Sequence, residues 1–159
     1  MAAPALQRFD TRAAFQDQLR AAFARSRATL DLFDPDCSLF LLGAPDVDAE
    51  LRRFLRGGGQ LRVAVHSTAW LERHAPRFPR LLHDFSHAVA CRTTPRHLRQ
   101  LTDSFCLAGD MHVVRRFHSA HLRGQAAFDA PQETEVPRTR FTAIWSESQP
   151  GLQASVTGL

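Results

Sequence analysis

The chain has 159 residues, 44% of them hydrophobic and 23% charged, with a net charge of +4 at pH 7. That is enough chain for one domain, residues 1–159, with a proper core, and no apolar run approaches the roughly 20 residues of a membrane helix. All 20 basic residues are arginine, which excludes chemistry that needs a lysine ammonium or a lysine Schiff base.

Cys37, Cys91 and Cys106 are odd in number and lack CxxC spacing. They are expected to be reduced and structural, with neither a disulfide nor a zinc site. The first ten residues lack the apolar core of a signal peptide, so a cytoplasmic location is expected. The arginines are scattered, so a dedicated nucleic-acid surface is possible but not argued for.

In chain order, Asp10 or Thr11 can cap a first helix running to about Arg27, with Phe15, Leu19, Ala22 and Phe23 on one face. Thr29–Phe33 alternates like a strand and stops at Asp34-Pro35-Asp36. Ser38–Leu42 reads as a strand or a helical turn. Pro45 and Asp46 open a second helix with an inner stripe of Val47, Leu51, Phe54 and Leu55, ended by Gly57-Gly58-Gly59. That glycine run follows a helix and lacks a Walker Lys-Ser/Thr, so it is not a phosphate loop. Leu61–His66 is a strand, Ala69–His74 a helix, Arg80–Ser86 another helix and Ala88–Thr93 a third strand. Such alternation predicts a mainly parallel sheet with helices on both faces.

From His97 to Arg116 the pattern predicts short strands and tight turns, with Gly109-Asp110 turning between Phe105–Ala108 and Met111–Arg116. On a strand, His97, Arg99 and Leu101 share one face. An imidazole beside a guanidinium can hold a phosphate, and Asp103 stands at the next turn, where a carboxylate can orient an imidazole. Ser119–Asp129 reads as a polar surface hairpin, Pro137 as the first turn of a last helix carrying Phe141, Ile144 and Trp145, and Leu152–Val156 as a final strand. His66 ends a strand, where open α/β sheets place their ligand crevice, although a capped helix start with a satisfied histidine is the simpler account. Asp34 and Asp36 read as loop carboxylates, Trp70 and Trp145 as core. His112, His118 and His121 have no carboxylate or cysteine companion, so no metal is expected, and no cofactor is implied.

The alternating lead-in, His-x-Arg on a strand, an Asp and a turn to a Gly together resemble one half of the phospholipase D fold. That superfamily carries His-x-Lys, four residues, Asp, often with Gly-Ser beyond. Its histidines act as nucleophile and general acid, its lysines bind phosphate, and its acid orients the imidazole. Two motifs are required, from two halves or from a dimer. Here His97 matches the histidine and Arg99 stands for the lysine. Ser104 occupies the place of the acid, and Asp103 comes one residue early. The chain is also similar to an uncharacterised bacterial group of phospholipase D-like domains often found C-terminal to N-acetyltransferase domains.

The resemblance implies a three-layer αβα sandwich with a mixed, mainly parallel sheet. It implies catalytic positions at His97 and Asp103 and ligand positions at Arg99, His97 and His66. With the lysine gone and the acid out of register, the expected function is non-catalytic: an anion- or phosphate-binding or regulatory module. The alternatives are a dimeric phosphodiesterase using one His-x-Arg per chain and an interaction module for a partner enzyme. The partners implied are a second copy, an N-acetyltransferase-type protein and a phosphate-containing ligand, with no membrane.

Overall fold

A computed structural model of the protein describes residues 6–154. A short strand, β1 (Leu6–Phe9), leads into α1 (Arg12–Arg25). Thr11 caps α1, its hydroxyl accepting a hydrogen bond from the Ala14 amide at 3.1 Å, which satisfies one of the donors a helix start leaves open. Next come β2 (Thr29–Asp34), α2 (Pro45–Arg56), β3 (Gln60–Val65), α3 (Ala69–His74), α4 (Arg77–Asp84) and β4 (Val89–Thr93). Pro45 begins α2, where an amide would be unpaired in any case. Pro79 falls in the first turn of α4, so that helix starts three residues before Arg80.

β2, β3 and β4 pair in parallel, as the alternation from Thr29 to Thr93 predicts. The chain then doubles back. β5 (Ser104–Ala108) lies antiparallel to β2, and β6 (His112–Arg116) and β7 (Gly124–Ala127) continue as a meander. The last elements are α5 (Pro131–Glu147) and β8 (Gln149–Pro150). β1 pairs with β7 and β8 with β4, both antiparallel, so the eight strands run β1-β7-β6-β5-β2-β3-β4-β8. The sheet is therefore mixed, and its parallel part is the three strands β2–β4, next to the β8 edge.

Side chains alternate between two apolar layers. Leu30, Leu32, Val63, Cys106 and Val114 face the layer of α1, α2 and α4. Phe33, Ala64, Phe105, Leu107 and Val113 face α5, which contributes Phe141 and Ile144. Asp31, in the middle of β2, is fully buried on the α5 side. In-register Arg62 of β3 neutralises it with bonds of 2.8 and 3.0 Å and lies over the Phe141 ring at 5.0 Å. Cys37, Cys91 and Cys106 are free and buried. Burial raises the Cys91 thiol to about 11 and holds the other two above their ordinary value as well. No helix among the described residues is long and apolar enough to cross a membrane.

Several expectations need correction. His97–Leu101 is not a strand: Arg96–Leu98 form one 3₁₀ turn, so the shared strand face of His97, Arg99 and Leu101 does not exist. Ser38–Leu42 forms turns. The segment read as an irregular hairpin contains β7, whose Gly-Gln-Ala-Ala sequence carries no strand signal of its own. α5 begins at Pro131, and Pro137 sits inside it. The final strand is Gln149–Pro150, and Leu152–Ala154 are not strand; Ser155 and Val156 lie outside the described residues.

His112, at the start of β6, supports one prediction. Its Nδ1 accepts the Asp129 amide at 3.0 Å. Burial lowers its pKa below 6.5, Asp129 opposes this and Arg25 reinforces it. The unfolded chain therefore takes up a proton first on acidification, and stability falls as pH drops from the ordinary histidine value through the folded one. Urea unfolding at pH 7.5 and 5.5 is expected to show a larger acid loss for the native chain than for His112→Gln. Equal losses would refute a neutral, hydrogen-bonded His112.

Candidate functional site

The C-terminal ends of β2, β3 and β4 form one rim, where open sheets bind ligands. Because β5 is antiparallel to β2 and β6 to β5, the start of β5 and the end of β6 reach the same rim. Phe33 pairs with Phe105 and Ser104 with Arg116, which sets Asp34, Ser104 and Arg116 side by side on the α1 face.

These three side chains form a closed buried network. Arg116 Nη2 donates to Asp34 Oδ1 at 2.7 Å, and the two side chains are 5% and 2% exposed. Its Nε donates to the Ser104 hydroxyl at 3.2 Å, and its Nη1 to the Ser119 carbonyl at 2.9 Å. The guanidinium lies 5.0 Å from the Phe15 ring centre. Asp34 Oδ2 accepts the Asp36 and Cys37 amides at 3.0 and 2.7 Å, folding the chain back after β2. Burial raises the Asp34 carboxyl, opposed by Ser104, by the Arg116 charge and by those two amides. Each nitrogen of Arg116 thus has a protein acceptor. The loop after β6 completes the closure, with the Ser119 amide donating to the Thr102 carbonyl at 2.7 Å.

His66 stands at the rim as expected, on the α5 side. Its Nε2 meets the Leu101 carbonyl at 2.8 Å and its Nδ1 the Thr94 hydroxyl at 2.6 Å. A carbonyl only accepts, so Nε2 carries a proton and donates it, while Nδ1 is paired with the Thr94 hydroxyl. Both nitrogens are committed to the fold, and the ring meets Phe33 edge-on with centroids 5.6 Å apart.

The other candidates do not gather around one centre. His97, 69% exposed, reaches Glu147 of α5 at 2.8 Å. Asp103 binds Arg140 of α5, with Nη2 donating to Oδ1 at 2.8 Å, and this bond raises the arginine's pKa. Asp103 thus orients an arginine and His97 faces a different carboxylate. Arg99 is exposed, with no side-chain partner among the described residues. A carboxylate on His97 competes with any anion, so Arg96 and Arg99, both exposed, are the cations left for an anion on this turn. The His118 and His121 rings lie 5.2 Å apart, His118 accepting the Ala120 amide. Among the described residues no three His, Cys, Asp or Glu side chains converge as metal ligands.

A hydrogen bond, His97–Glu147, and an ion pair, Asp103–Arg140, strap the 96–103 segment to α5. Between them runs a groove of about 630 Å³ lined by Leu98, Leu101, Val136, Ala143 and Ile144.

A family model described as "Domain of unknown function (DUF7931)" matches residues 11–154. No curated protein matches the sequence. Among solved structures, the fold is similar to Nuc, a phospholipase D family member from Salmonella typhimurium, with TM-score 0.65 and 12% identity over 92% of this chain and 97% of that one. NucT from Helicobacter pylori gives TM-score 0.60 and 6% identity over 92% and 98%. Phosphatidylserine synthase from Haemophilus influenzae gives 0.63 and 9% over 95% of this chain, which spans 40% of that longer one. The chain has a phospholipase D-like fold.

Proposed function

The chain belongs to the DUF7931 family, a domain family of unknown function, and on that premise we propose that it is a non-catalytic phospholipase D-like domain that works by binding rather than by turnover. The closed Asp34–Ser104–Arg116 network carries this reading, because it fills the sheet rim with protein–protein hydrogen bonds where a phosphodiester would have to sit.

The strand that enters the Gly109 turn supports it further. Laying His-x-Lys, four residues, Asp on that strand gives Thr102, Ser104 and Gly109. None of the three supplies an imidazole, a cation or a carboxylate. The imidazole nearest the rim, His66, has no free nitrogen to act as nucleophile or base. Non-enzymatic binding is also favoured by the apolar groove beside α5.

Bis(p-nitrophenyl) phosphate and single-stranded DNA incubated with the purified chain are expected to show no turnover above the protein-free rate. His97→Ala and Asp103→Ala are expected to leave that baseline unchanged. Hydrolysis by the native chain that His97→Ala abolishes would overturn this reading in favour of a dimeric phosphodiesterase.

A further inference from the structure

Consecutive arginines at the end of β6 go to opposite faces of the sheet. Arg116 turns toward α1 and is consumed by Asp34, Ser104 and the Ser119 carbonyl. Arg115 pairs in register with Phe105 and so belongs to the α5 face. It is half-buried, yet its guanidinium has no carboxylate and no hydrogen-bond acceptor among the described residues. What it has is the Phe117 ring, whose centre lies 5.2 Å from the guanidinium carbon. A guanidinium is a fork of N–H donors with no acceptor of its own, and drawing it partly out of water without a partner is costly.

A depression of about 250 Å³ opens at this place, between the end of β6 and α5. Its lining has two characters. Arg115 and Arg140 supply cations, while Phe105, Phe117, Val136 and Pro137 supply apolar surface. Phe117 and Val136 are 48% and 77% exposed, so the apolar side is open to whatever enters. Arg140 holds Asp103 through Nε and Nη2, which leaves its Nη1 without a partner among the described residues. The charges here do not cancel. Asp103 balances Arg140 and Asp34 balances Arg116, whereas nothing among the described residues balances Arg115. The surplus is a single positive charge.

We propose that this depression binds a small monocarboxylic acid with an apolar body. Its carboxylate meets Arg115 and the free edge of Arg140, and its body lies on Phe117 and Val136. Size sets the first limit: pockets that enclose drug-sized ligands run from roughly 300 to 1,000 Å³, and this one is smaller. Charge sets the second. A carboxylate carries the one negative charge that offsets Arg115, and its planar oxygens match a guanidinium fork. A phosphate monoester brings nearly two charges, and any inorganic ion leaves the apolar side in water. The site rests on the reading of this domain as one that works by binding. It uses none of His66, His97 and Arg99.

The probe is phenylacetate, titrated into the full chain by calorimetry, with phenylacetamide and inorganic phosphate as comparators at matched ionic strength. The acid is expected to bind roughly tenfold tighter than the amide, because only the acid forms charge-assisted hydrogen bonds. That advantage is expected to shrink in added salt. Arg115→Gln is expected to abolish it. Val136→Glu, which sets a carboxylate beside the apolar side, is expected to weaken the acid as well. Val136 is exposed on a helix, so its variant keeps the test decisive even if Arg115→Gln loosens the sheet. Arg56→Gln, at the exposed end of α2, is expected to change nothing. Failure of phenylacetate to bind at millimolar concentration would overturn the proposal. So would equal binding of acid and amide, phosphate binding tighter than the acid, or indifference to Arg115→Gln. Loss of binding in Arg99→Gln would overturn it too, by placing the anion on the 96–99 turn. Hydrolysis of bis(p-nitrophenyl) phosphate is read separately. Turnover overturns the non-catalytic reading, whereas no turnover and no titration overturn the acid site alone.

Discussion

Arg116→Leu is expected to cost about 3–5 kcal/mol, the usual consequence of removing one member of a buried ion pair. Against a typical total of roughly 5–15 kcal/mol, that is enough to leave a large unfolded fraction at moderate temperature. The cause is what remains behind. Asp34 keeps its place under α1 with no cation, while the Ser104 hydroxyl and the Ser119 carbonyl lose a donor. Burial already raises the Asp34 carboxyl, and without the guanidinium it rises further. A folded-state pKa above the unfolded value means that the folded form takes up the proton first, so the variant's deficit shrinks as pH falls toward about 4. Asp34→Asn in the same chain keeps an oxygen for the Asp36 and Cys37 amides and removes the orphaned charge. The double variant is therefore expected to be more stable than Arg116→Leu alone. Urea denaturation of the two single variants and the double one checks this. A loss below about 1 kcal/mol for Arg116→Leu, or a deficit that grows on acidification, would contradict a closed network.

Gly124→Ala is expected to cost about 3 kcal/mol, at the upper end for overpacking. A Cβ at Gly124 would sit 2.0 Å from the Arg115 carbonyl oxygen and 2.5 Å from Phe9 Cζ. The first neighbour is backbone and cannot rotate away, so β6 and β7 have to part where Gly124 pairs with Arg116. Gly109 is the contrasting case. Nothing lies within 4 Å of a Cβ there, and only its φ of +61° resists a side chain, which costs about 1–2 kcal/mol. Thermal or urea unfolding should rank Gly124→Ala well below Gly109→Ala, and the reverse order would mean that the close approach at β7 is readily relieved.

The layered fold was legible because its helices and central strands each carry a local period. Phe15, Leu19 and Phe23 mark α1, Val47, Leu51 and Phe54 mark α2, and Leu61–Val65 marks β3, all close to their observed bounds. β1 and β7 were not legible, since four residues such as Gly-Gln-Ala-Ala become strand only because neighbours pair with them. α5 was read six residues late because Pro137 hid the equally good helix start at Pro131, with Glu133 in its first turn. Much of the site was hidden for a related reason. Asp34 and Arg116 are 82 positions apart, and only the antiparallel return of β5 and β6 to the β2 rim brings them together. No spacing rule relates them. His66 could be singled out because it needs only its own strand end. His97 and Arg99 invited a strand periodicity that a single 3₁₀ turn replaces.

The three sequestered thiols give the molecule a built-in clock. Cys37 sits in the turn that Asp34 folds, Cys91 in β4 near one sheet edge, and Cys106 in β5, where the antiparallel half meets the parallel strands. A thiol reacts as its thiolate, and burial suppresses that form at all three places. An alkylating reagent therefore waits for each neighbourhood to open, and the three labelling rates measure three local openings. If the rim turn breathes before the sheet does, Cys37 is modified first and Cys106 last, so mass spectrometry of an untagged sample reads the order in which the domain loosens.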